Sequence, residues 1–152
     1  MSNFYKGKAM RDVALGIKVD RATDNITTGE ELFAIEGGRV MVTAIIGQVT
    51  TIIETKTVNF KLVADPDVGT STDICANLDL SADEVGTMYT VAGNNPATAM
   101  QRGESGSAPM QTTAFVVAPG AIEATVGDTH TGSIKWTIFY VPIDDGAYVE
   151  AA

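Results

Sequence analysis

Ile134-Lys135-Trp136-Thr137-Ile138-Phe139-Tyr140 decides the fold class, because Ile134, Trp136, Ile138 and Tyr140 alternate with Lys135 and Thr137. A period of two sets one row of side chains on a core and the other in water, which is the signature of a β-strand. The same alternation recurs in Val58, Phe60 and Leu62 against Thr57, Asn59 and Lys61, and in Ile122, Ala124 and Val126 against Glu123 and Thr125. It is also legible in Val13, Leu15, Ile17 and Val19 against Ala14, Gly16 and Lys18. Residues 39–46 and 49–53 are denser Val, Ile and Thr runs, a composition that favours strand. Gly47-Gln48 interrupts them and predicts a bulge or a bend at a sheet corner.

Shorter strands are expected at residues 31–35, 74–78, 87–91, 114–118 and 147–149. Turn chemistry separates them at Gly37-Gly38, Asp65-Pro66-Asp67, Gly93-Asn94-Asn95-Pro96, Pro119-Gly120, Gly127-Asp128 and Asp144-Asp145-Gly146. Ser81-Ala82-Asp83-Glu84 has capping-box spacing and predicts one short helical turn. Residues 94–111 are rich in small residues and read as a long exposed loop. The expectation is one all-β domain over residues 1–152, a β-sandwich, jelly-roll-like body or small barrel with at most one short helix. An extended N-terminal arm is expected at residues 1–11.

Composition narrows the function classes. At 152 residues and 45% apolar the chain has material for one real core. A net charge of −9 repels nucleic-acid phosphates and anionic membranes, so neither is expected as a partner. Lys6, Lys8 and Arg11 are answered only by Asp12 near the start, which makes the arm locally basic. Such a cluster is either a solvated start or an arm that docks on an acidic neighbour, for which Asp144, Asp145 and Glu150 of an adjacent subunit would serve. The start MSNFYKGKAMRD lacks a signal-peptide apolar region, and no run of about 18 apolar residues occurs, so synthesis in the cytosol is expected.

Catalytic chemistry finds little to work with. The lone Cys75 excludes an intrachain disulfide and, in Asp73-Ile74-Cys75-Ala76, reads as a buried thiol. The lone His130 lies in the turn-like Gly127-Asp128-Thr129-His130-Thr131-Gly132 and reads as an exposed hairpin residue rather than a triad base. Gly103-Glu104-Ser105-Gly106 falls one position short of a nucleophile elbow. One His and one Cys make no structural zinc site. Asp65, Asp67 and Asp73 lack the order of a calcium loop. Glu30-Glu31, Asp83-Glu84 and Asp144-Asp145 are pairs in sequence only, since adjacent strand or turn residues diverge. No enzyme, metal or cofactor is expected. Trp136 and Tyr140 stand on the apolar side of their strand and read as core or interface residues.

The C-terminal stretch GSIKWTIFYVPIDDGAYVEAA, residues 132–152, resembles the C-terminus of small virion proteins of tailed bacteriophages. The shared form is a strand G-x-x-K-W-x-x-x-Y-x-P, then a D-x-G-A turn and a chain end in Ala-Ala. Proteins of this group resemble capsid decoration, or cement, proteins. The resemblance implies a sandwich or jelly-roll body, a homotrimer, the major capsid protein as partner, and a place on the capsid surface at threefold or quasi-threefold positions. It carries over no catalytic residues. Lys6, Lys8, Arg11 and, in the long loop, Arg102 are the candidate shell or subunit contacts. Another virion part (tail tube, tail tip or fibre base) and a carbohydrate-binding β-sandwich module are the competing expectations.

Overall fold

A computed structural model describes residues 7–104 and 106–152. One helix, α1 (Gly7–Leu15), precedes β1 (Ile17–Asp20), β2 (Asp24–Ile26), β3 (Glu30–Glu36), β4 (Val40–Thr51) and β5 (Asn59–Pro66). There follow β6 (Thr72–Asp73), β7 (Leu78–Asp79), β8 (Met88–Thr90), β9 (Gln101–Gly103) and β10 (Phe115–Val117). The chain ends with β11 (Gly120–Thr125), β12 (His130–Pro142) and β13 (Tyr148–Ala151).

Two antiparallel sheets face each other. Sheet A runs β1-β12-β4-β8-β9, with β2 also on β12 and β10 also on β4. Sheet B runs β13-β3-β11-β5-β6, with β7 also on β5. The pairs are nested: β5 with β6, then β4 with β8, β3 with β11, and outermost β1 and β2 with β12. A long hairpin has thus been rolled until β12 also meets β4 and β11 also meets β5. That is jelly-roll topology, and of the expected architectures the barrel is excluded because both sheets stay open.

One apolar cluster fills the space between the sheets, with Ile45, Val49, Ile134, Trp136, Ile138 and Tyr140 from sheet A against Phe33, Ile35, Phe60, Leu62 and Ile122 from sheet B. Trp136 and Phe60 stack across the gap, with ring centroids 5.5 Å apart and planes at 11°. An aromatic pair of this kind adds about 0.5–1.5 kcal/mol to its burial.

Several expectations are corrected. Val13 and Leu15 belong to α1, and only Ile17–Asp20 is strand. Met10, Val13 and Ala14 also fit helical spacing, Lys8 pairs with Asp12 one turn on at 2.5 Å, and Gly16 at φ +92° ends the helix. Ser81–Glu84 forms no helix: Ala82 takes φ +61°, and the Ser81 N–H donates to the Asp79 carboxylate at 3.0 Å. Strand β4 runs through Gly47 without a register shift, for a Cβ there would lie 2.6 Å from the Trp136 ring. The irregularities fall instead between Phe139 and Tyr140 and between Ser133 and Ile134.

The segment at 94–111 holds β9 and the buried Met100 rather than one long loop. The expected strand at 74–78 is a link, with β6 before it, β7 at its end and Ala76 bridged to Ala99. His130 is 3% exposed, not a solvated hairpin residue, because it opens β12 opposite Ile26.

Candidate interaction surface

The predicted contact residues are not brought together. Lys6 lies outside the described residues. Lys8 is exposed and holds Asp12. Arg11 is half-buried, with its Nε enclosed and unpartnered among the described residues. Arg102 sits on β9, at the opposite edge of sheet A from β1. Its Nε donates to Asp83 at 3.1 Å and its other arm to the Asp79 carbonyl. Asp83 also accepts from the buried Tyr89 hydroxyl at 2.5 Å. Burial first, then that carboxylate, pushes the Tyr89 phenol far above its ordinary range. Arg102 therefore closes a polar network within the chain. Trp136 and Tyr140 are core residues, and a buried Trp136 offers no platform for a sugar ring.

The chemistry-bearing residues are likewise absorbed by the fold. The Cys75 sulfur accepts the Leu62 N–H at 3.3 Å, and burial raises its thiol pKa. His130 Nδ1 is 3.4 Å from Glu54 Oε1, which itself accepts the Thr131 N–H at 2.9 Å. The buried Arg21 donates to Glu30 at 2.6 Å, and the cavity beside it, of about 10 Å³, has room for a single water. Burial is the main reason the Glu30 carboxyl titrates above its ordinary range. Among the described residues no three His, Cys, Asp or Glu side chains are placed to hold a metal ion, and no helix is long and apolar enough to cross a membrane.

What the geometry offers instead is two unlike outer faces. Cross-strand partners share a face, so the pairings Val116↔Met41 and Met41↔Val141 lay one apolar row across β10, β4 and β12 on the outside of sheet A. Val116 is 55% exposed and Val141 is exposed beside it. Helix α1 lies along this face, since Thr43 of β4 donates its hydroxyl to the Leu15 carbonyl and a Cβ on Gly16 would meet the Val141 side chain at 2.9 Å. Met10 and Val13 of the helix are turned to solvent, Val13 at 81% exposed. Lys18 pairs with Asp20 at 3.1 Å, and Asp20 accepts from Thr137 at 2.6 Å. That hydroxyl first, then Lys18, holds the Asp20 carboxyl below its ordinary range. Lys135, beside them, has no ion pair among the described residues.

On sheet B the registers Glu150↔Ala34↔Ala121↔Asp65 and Glu31↔Glu123↔Val63↔Asp73 place five carboxylates on the outer face, with Glu36 a sixth opposite Tyr148. Lys61, 2.8 Å from Asp73, is the cation among them. Glu123 titrates above its ordinary range through partial burial and then through Asp65 and Glu31. Both faces depend on register between distant strands. The only sequence signals for them were the exposed-phase residues of each strand, Glu123 and Lys135 among them.

Compared with protein-family models, curated proteins and solved structures, the chain matches none.

Proposed function

We propose that this chain is a structural protein of a phage virion that binds the outside of the capsid as a homotrimer and bridges neighbouring major capsid proteins. The reading is carried by the C-terminal segment, residues 132–152. The residues behind its resemblance to phage virion proteins are those the body is built around. Trp136 and Tyr140 lie on β12, which pairs with β1, β2 and β4. Pro142 ends that strand, and Asp144-Asp145-Gly146-Ala147 turns the chain into sheet B. A jelly roll suits a shell component, and the fold supports the reading.

The mechanism is mechanical. Each copy holds adjacent capsid proteins together against the outward pressure of packaged DNA, and many weak contacts add through multivalency. The basic start, Lys6 to Arg11, and Arg102 are the proposed contact residues, and no catalytic role is proposed. The test adds purified chain to phage shells stripped of their surface proteins and counts bound copies. Saturable binding that falls when residues 2–11 are deleted is the expected result. Absence of saturable binding would reject the reading, and unchanged occupancy after the deletion would reject the arm's part in it.

A further inference from the structure

We infer that the outer face of sheet A is where one copy of this chain meets the same face of a second copy. The argument begins with what the face lacks. Val116, Met41 and Val141 form a continuous row, and helix α1 and the segment at 107–111, which lie over other parts of that face, leave Val116 and Val141 exposed. Of the other large exposed apolar residues, Ile52, Val68 and Val85 stand singly between strands, which is ordinary for a protein surface. A row that crosses three strands, with Met10 and Val13 beside it, is a different feature, and contiguous exposed apolar surface marks an interaction site.

The charges select the occupant. An apolar row gains free energy only against another apolar surface, and interface centres are depleted in charge. The outer face of sheet B does not qualify: Glu31, Glu36, Asp65, Asp73, Glu123 and Glu150 crowd it against Lys61 alone among the described residues. Burying those carboxylates against an apolar row would strip their water without adequate return. The rim of the sheet A face is mixed, with Lys8, Arg11, Lys18 and Lys135 against Asp12 and Asp20. A mixed rim complements a second copy of itself, whereas sheet B meeting sheet B would oppose like charges. Same-face contact also closes around a twofold axis into a dimer, the commonest closed assembly. The inference goes beyond the proposed function, because a twofold contact is a second interface beside the threefold one, and it does not depend on the shell.

The test is the solution mass of the full chain by light scattering over a wide range of concentration. The wild type is expected to reach a plateau at a small closed oligomer. Val116→Asp stands on β10, where a monomer leaves the new charge in water. It should melt like the wild type and raise the dissociation constant about tenfold or more, with Val116→Ser as the milder check. Glu31→Lys, on the other face, should leave the mass unchanged. A wild type that stays monomeric overturns the inference, as does a Val116→Asp oligomer of undiminished mass. Mass that grows without a plateau and is lost in Glu31→Lys overturns it in favour of stacking of face A on face B. Shell binding by a monomeric wild type would leave the capsid reading standing while this inference fell.

Discussion

Gly47 and Trp136 share one place in the fold. They are direct partners between β4 and β12, and the indole lies over the glycine where any side chain would stand. Because Gly47 does not need a left-handed backbone, space alone forbids a larger residue there. Gly47→Ala should cost about 1–3 kcal/mol, the range for overpacking a filled core. The ring is the named cause, so the cost should largely vanish in a Trp136→Leu background. Denaturant unfolding of the wild type, both single variants and the double variant tests this. Purely additive costs would mean that the ring does not set the requirement. The same residues explain why a glycine that looked like a strand break is the seat of the largest core side chain.

At the scale of elements, the corner between β12 and β13 is held by one ion pair. Asp144 accepts from the Arg39 side chain at 2.8 and 2.9 Å and from its backbone N–H at 2.8 Å. Chiefly through the Arg39 side chain, these bonds hold the Asp144 carboxyl far below its ordinary range. A depressed carboxylate stabilises the fold above its unfolded pKa, about 3.9, and loses that contribution as pH falls through the folded value. Asp144→Asn should therefore melt below the wild type at neutral pH, and the gap should close in acid. Melting temperatures across a pH series check the sign; a gap that widens in acid would refute it.

Strands such as β5, β11 and β12 were legible because long alternating runs leave no other reading. Residues 13–19 fit both a strand and a helix, and tertiary contact through Thr43 and Val141 favours the helix. The capping box at Ser81 does not form because Ala82 takes a left-handed backbone and the Ser81 N–H is held by the Asp79 carboxylate. The row of Val116, Met41 and Val141 was not legible at all, because it exists only through pairing between strands far apart in the chain.

The two outer faces of the molecule are unlike in charge. Sheet B carries the crowded carboxylates, and sheet A carries the apolar row with a mixed rim. Glu123 bears a cost on sheet B, first from its partial burial and then from Asp65 and Glu31. Its raised pKa means that its charged form opposes folding, an effect present at neutral pH and relieved as pH falls through the raised value. Glu123→Gln should raise the melting temperature at neutral pH. The gain should shrink in acid and shrink with added salt, which screens Asp65 and Glu31. An unchanged or lower melting temperature at neutral pH would contradict this account of Glu123.

On the ribosome, the nested pairing sets an order of events. Strands β5 and β6 meet as soon as both emerge, but β1 and β2 wait for β12, which comes almost last, and so does the inner edge of β4. Until Tyr140 arrives opposite Val42, β4, the longest apolar strand of the first half, has an open edge, a template for pairing with another nascent chain. Closure across nearly the whole chain places refolding among the slow β-topologies, on the order of milliseconds to seconds. The yield of folded chain therefore depends on how long that edge stays open.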